Sequence, residues 1–260
     1  MADSLFECLL AAQTSEEEMQ LLLAALPTAL CRMAWVAAIP HWFNADVLAV
    51  LLPDLSSQAA GLYAQLQSLA FVEPYQGRGH NVHELTREII LTLWWNTRRD
   101  EYRQISGRAE TYFAAQDDDG AHVEAAYHSI VASPFDLTGL TGRWNETAAS
   151  LRIPEQFSLA HTLIQNAREH IAAGRVPDGM VRLVSGWERT FAGELETLAE
   201  ERRKAQDLTA AVEILGHARL LYADLGDQQA EANVLVKLNT TYQMYKRPDV
   251  ARDGQSPSIF

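Results

Sequence analysis

Apolar residues recur at helical spacing along almost the whole of this chain, and the one interruption of that rhythm constrains its fold most. After Leu69 the pattern turns extended. Phe71, Val72 and Tyr75 precede Gln76, Gly77, Arg78 and Gly79, and Asn81 and Val82 follow them. Two glycines in four residues let a chain reverse tightly, so a short β-ribbon is expected between helices.

The helices around it can be placed from apolar spacing and caps. Leu5, Leu9 and Leu10, then Met19, Leu22, Leu23 and Leu26, predict an opening helical hairpin, with Ser15 and Glu18 spaced as a capping box. Thr28 to Ile39 is a third helix stopped by Pro40. Asn44 caps a fourth that carries Val47, Leu48, Leu51 and Leu52 to Pro53. Ser56 or Ser57 caps a fifth, with Leu62, Leu66 and Leu69 on its buried side. Beyond the ribbon, helix resumes at His83 and runs through Leu85, Ile89, Leu93 and Trp94 to Tyr102, Ile105, Ala109 and Phe113. Three helices, a two-stranded wing and a closing helix make a winged helix-turn-helix. Trp94 and Trp95 cannot both face one core, so one packs under the wing and Trp95 is assigned to following helices or a partner.

The remainder is also expected to be mainly α. Asp117, Asp118 and Asp119 read as solvated acids at a break, since calcium-loop spacing is absent. Pro134, Gly139 and Gly142 mark SPFDLTGLTGRW as a linker or elaborate turn. Helices follow over Phe157 to Ala172 and Val181 to Leu198. Leu235, Leu238 and Tyr242, with Asn239 and Ala251, then fit one unit of an α-helical, tetratricopeptide-like hairpin array. In that register Ala211 and Ala218 let helices approach, while Leu215, Leu221 and Tyr222 fill the layer between them. The expected division is an N-terminal helical hairpin at 1–27, a winged-helix domain at 28–115, a helical connector at 116–195, tetratricopeptide-like helices at 196–252 and a disordered tail at 253–260.

Composition narrows the function classes. At 260 residues and 48% hydrophobic the chain can fill one large or two modest cores. No run of about 18 apolar residues appears, and the amphipathic, acidic N-terminus lacks the features of a leader, so a soluble, cytoplasmic protein is expected. Cys8 and Cys31 suggest buried thiols. A formal charge of −13 repels polyphosphate and anionic membranes. The segment that would enter a DNA groove, SSQAAGLYAQLQSL, holds no Lys or Arg. A DNA-binding winged-helix transcription regulator, the alternative reading, therefore needs a patch assembled from Arg78, Arg98 and Arg99, with Arg87 and Arg103.

The succession AAIPHWFNADVLAVLLP, LYAQLQSLAFVEPY and GRGHNVHELTREIILTLWW resembles the winged-helix segment of the STAND signal-transduction ATPases, which include Apaf-like and plant immune receptors and bacterial relatives. At the ribbon-to-helix junction that family carries Met-His-Asp, and Val82, His83 and Glu84 match it with two conservative departures. The resemblance implies that His83 corresponds to the histidine that contacts the β-phosphate of bound ADP. Yet only Lys204, Lys237 and Lys246 occur, and none follows a glycine-rich phosphate loop. Either His83 completes a pocket in another chain or it is a capping and core residue.

Catalytic candidates are sparse. His80 and His83 are three apart across a strand-to-helix break, and His122 with His128, and His161 with His170, lack zinc-helix spacing and read as ordinary polar histidines. Ser129 and Ser185 lack a nucleophile elbow. No catalytic residue, metal or cofactor is assigned. The expectation is a non-enzymatic adaptor in signalling or defence, partnered by a protein such as a P-loop ATPase or effector, with homo-oligomers allowed. Trp95, Leu235, Tyr242 and Tyr245 are its candidate contacts. That reading expects a buried His83 and an apolar groove on the C-terminal helices, whereas an accessory nucleotide-sensing subunit needs His83 exposed.

Overall fold

The computed structural model describes residues 12–150, 157–176 and 178–246. They are mainly helical: α1 (Ser15–Ala24), α2 (Thr28–Ala37), α3 (Ala45–Leu51), a 3₁₀ turn (Pro53–Gln58), α4 (Ala59–Leu66), β1 (Val72–Tyr75), β2 (Gly79–Val82), α5 (Glu84–Thr97), α6 (Arg99–Ala114), α7 (Asp119–Ala132), α8 (Leu137–Ser150), α9 (Phe157–Ala172), α10 (Asp178–Lys204), α11 (Leu208–Asp224) and α12 (Gln228–Lys246). Two compact units divide between Met180 and Val181. The expected boundaries at 115/116 and 195/196 fall inside the first and the second unit respectively.

In the first unit, local chemistry explains most helix starts. The capping box sits one residue earlier than expected: Thr14 accepts from the Glu17 N–H, and the Glu17 carboxylate accepts from the Gln13 N–H. The helix expected before it, with Cys8, lies outside the described residues. Asn44 caps α3 by accepting from the Val47 N–H at 2.9 Å. Neither Ser56 nor Ser57 caps α4, because Pro53 starts a 3₁₀ turn that leads directly into it.

The ribbon pairs Val72 with Val82 and Pro74 with His80 in antiparallel register. His80 uses its backbone N–H and carbonyl on Phe43, so Pro74, which has no N–H, can stand opposite it and leave no donor unpaired. Gly79 takes φ +118 where a Cβ would run into the Phe43 carbonyl. The turn thus demands glycine there.

The long helix expected from His83 to Phe113 breaks at Arg98, whose φ of −143° and ψ of 45° are not helical. The break turns Trp94 into the core, where its indole N–H donates to the Trp35 carbonyl at 2.9 Å. Leu85, expected on the buried face, is 67% exposed. Phe43, Leu48, Leu51, Leu66, Tyr102 and Phe113 complete the same core.

Two further segments depart from expectation. Asp118 caps α7 through the Ala121 N–H and pairs with Arg78, so it is not a freely solvated acid. The stretch expected to be a linker is α8: Asp136 accepts from the Gly139 N–H at 2.9 Å, and Leu140 and Trp144, one turn apart, are buried. The cap and the apolar pair outweigh two helical glycines.

In the second unit α11 and α12 form a hairpin that turns at Gly226, with φ 68. Ala211, Leu215, Ala218, Leu221 and Tyr222 are buried, while Leu235 and Tyr242 of the expected repeat unit are exposed. Tyr222 and Lys237 both donate to Glu196 on α10, at 2.9 and 2.6 Å. Ala251 and the tail at 253–260 lie outside the described residues. Among those described, no helix is long and apolar enough to cross a membrane.

Candidate functional site

The most unusual chemistry lies in the first unit, where α5, α6, α7, α9 and the loop after α2 meet around buried charge. His41 follows Pro40 in that loop, and its own N–H donates to Glu124 Oε1 at 2.8 Å. Its Nδ1 faces Glu124 Oε2 at 2.9 Å and its Nε2 faces Glu169 Oε2 at 3.2 Å. Glu169 Oε1 collects Arg87 Nη1 at 3.0 Å, the Tyr127 hydroxyl at 3.1 Å and Arg175 Nη1 at 3.4 Å. Arg87 Nη2 donates to Tyr127 Oη at 2.7 Å and to the Ile39 carbonyl at 3.3 Å.

Two more histidines stand around this centre. His128 Nε2 lies 3.2 Å from Glu124 Oε1, too poorly aligned for a hydrogen bond, and its ring stacks on Phe113. His170 stacks on Tyr127 with centroids 4.1 Å apart, and its Nε2 donates to the Tyr127 carbonyl at 3.3 Å. Both rings are fully buried, whereas 23% of the His41 side chain remains open.

Burial sets the titration of each group unless a charge overrides it. For Glu124, burial works against the anion, but the charge and the hydrogen bond of His41 hold its pKa far below the carboxylate range. Burial likewise opposes ionised Glu169 and is outweighed by Arg87 and His41. Burial and the Arg87 charge push the His41 ring toward neutrality, yet the Glu124 charge and the hydrogen bonds to both carboxylates raise its pKa above the usual value. Burial lowers the pKa of His128, with only partial relief from Glu124, and lowers that of His170 further. Burial drives the Tyr127 phenol well above its ordinary value. Such a set fixes charges in place.

None of this was anticipated, although the residues carry a readable mark. Arg87 falls on the same helical face as Ile90, Leu91 and Trp94, and Glu124 and His128 are one turn apart among alanines. Polar residues at core positions call for partners. Those partners lie 82 and 83 residues along the chain for the Arg87 to Glu169 and His41 to Glu124 contacts, and 128 for His41 to Glu169.

The residues singled out from sequence do not converge. His83 is exposed at the start of α5, contrary to the burial that the adaptor reading requires, and its side chain does not cap the helix. His80 is taken up by the Tyr63 hydroxyl at 2.7 Å. Trp95 is half-buried, with the Arg99 and Arg103 guanidinium groups 4.3 and 5.3 Å from its ring. Arg98 lies over Trp35 and Trp94, while Arg78 lies over Trp42 and binds Asp118. Of the arginines named for a DNA patch, Arg78 is therefore paired with an acid and Arg87 is buried, while Arg98, Arg99 and Arg103 lie over tryptophans. On α12, Leu235, Tyr242 and Tyr245 are all exposed. Elsewhere in the first unit, α6, α7 and α8 enclose a recess of about 340 Å³ lined by Ala114, Ala125 and the Glu110 to Arg143 ion pair, outside the buried network.

No family model, curated protein or solved structure matches this chain.

Proposed function

We propose that this chain is a non-catalytic protein-interaction adaptor, a winged helix joined to tetratricopeptide-like helices and similar to the C-terminal half of a STAND signalling protein. The observation that carries the reading is the stripe Leu235, Leu238, Tyr242 and Tyr245 on α12. Its spacing of three, four and three residues places it along one side of the helix. Val234 and Thr241 are buried on the neighbouring face, while Leu235 stays 47% and Tyr242 49% exposed. Contiguous apolar surface of this kind suits a partner helix better than water. The test is affinity capture by the full chain, with a Leu235→Ser/Tyr242→Ser variant in parallel. A protein captured equally by both forms overturns the assignment of this stripe.

A second reading is favoured by the exposure of His83. In it the chain is an accessory subunit, and His83 meets the phosphates of a nucleotide held by a separate P-loop ATPase. Capture of such an ATPase with ADP, abolished by His83→Ala and untouched by the α12 double variant, selects this reading over the first.

A further inference from the structure

We infer that His41 is a proton-operated latch: while both ring nitrogens carry hydrogen it ties the loop after α2 to α7 and α9 together, and loss of one proton releases the loop from α9, which Arg87 and Tyr127 continue to hold through Glu169. The inference rests on donor counting. Glu124 and Glu169 present carboxylate oxygens to opposite sides of one imidazole, at 2.9 and 3.2 Å. A neutral ring has one N–H and can satisfy only one of them. Both contacts therefore require the imidazolium form.

The partners also decide which contact yields. Glu169 keeps Arg87, Tyr127 and Arg175 as donors after a proton leaves Nε2. Among the described residues, the well-formed donors to Glu124 are the His41 N–H and Nδ1, His128 Nε2 being near but misaligned. The proton on Nδ1 therefore stays, and the one on Nε2 departs to solvent. An unprotonated Nε2 then confronts the Glu169 carboxylate, two acceptors with nothing between them. The contact that joins the loop to α9 is lost, and the one to α7 remains.

The surrounding groups shape the switch without duplicating it. From α5, Arg87 repels the imidazolium; from α7, Glu124 attracts it and His128 adds a neutral ring. From α9, Glu169 attracts it while His170 is kept neutral by burial, and Arg175 adds a positive charge after that helix. Tyr127 on α7, 4.3 Å from the His41 ring, and Tyr102 on α6 stay protonated through the neutral range because burial raises both.

The test uses the full chain. Nitrogen NMR of the His41 ring is recorded through the neutral and mildly alkaline range, together with amide exchange in α7 and α9, corrected for the intrinsic effect of pH. The expected result is a ring that remains imidazolium above the ordinary histidine range and loses the Nε2 proton first. As it does so, amide exchange around Glu169 in α9 rises about threefold, because Arg87, Tyr127 and Arg175 still hold that carboxylate, while exchange in α7 is unchanged. Glu169→Gln, which keeps the shape of the side chain, should lower the ring's titration midpoint. His41→Gln should exchange in α9 at the deprotonated rate at every pH. Titration of His41 at or below the ordinary value overturns the latch, and so does α9 protection that is indifferent to the ring's transition.

Discussion

Arg87 reaches Glu169, Tyr127 and the Ile39 carbonyl with two terminal nitrogens and is 6% exposed. Taking the guanidinium away leaves a carboxylate and a phenol that still need donors. Arg87→Met should therefore lower stability by about 3 kcal/mol, at the lower end for a broken buried pair because Glu169 retains His41 and Arg175; urea unfolding measures it. The exposed Arg32 to Asp54 pair sets the contrast, and Arg32→Ala should cost less than about 1 kcal/mol in the same experiment. The histidines give stability a maximum in pH. His128 and His170 have folded pKa values below the unfolded one, so what they contribute is complete above about 6.5 and is lost as the pH falls toward their folded values. His41 has the opposite sign: its contribution is complete below about 6.5 and disappears as the pH rises through its raised folded value. Urea midpoints should therefore peak near neutrality and fall on both sides. A flat profile would mean that these rings are not held as described.

Elements were legible where their cause is local. The ribbon follows from Gly77 and Gly79, α3 from Asn44, and the α11 to α12 hairpin from alanines and leucines one and two turns apart. The break at Arg98 was not legible, because Trp94 and Tyr102 keep helical spacing across it and tertiary packing redirects the chain. The α8 helix was hidden behind Gly139 and Gly142, whose composition mimics a turn while Asp136 supplies the cap. Two expected outcomes belong at this level. Gly79→Ala should destabilise by about 1–3 kcal/mol, since φ +118 is strained for any side chain and the new Cβ meets the Phe43 carbonyl; a thermal melt detects it. Leu235→Ser with Tyr242→Ser should leave the melt within about 0.5 kcal/mol of the parent per substitution, because neither side chain is buried.

For the whole molecule, a charge of −13 and the pairing of Arg78 with Asp118 argue against a polyanion footprint. A fluorescent DNA duplex titrated with the full chain at low salt should show no saturable binding in anisotropy; tight binding that falls steeply with salt would restore the DNA reading. The buried network was beyond the reach of local pattern because its contacts join residues 82, 83 and 128 positions apart. That separation bears on how such a molecule can change through descent. Arg87 and Glu169 each become a buried liability without the other, so a recombination event with its crossover between them must bring a matching charge from both parents. Exchange of the first 115 residues as a module therefore carries the cost of a buried unpaired charge unless the incoming segment restores it, because these contacts tie the stretch from His41 to Arg175 into one unit.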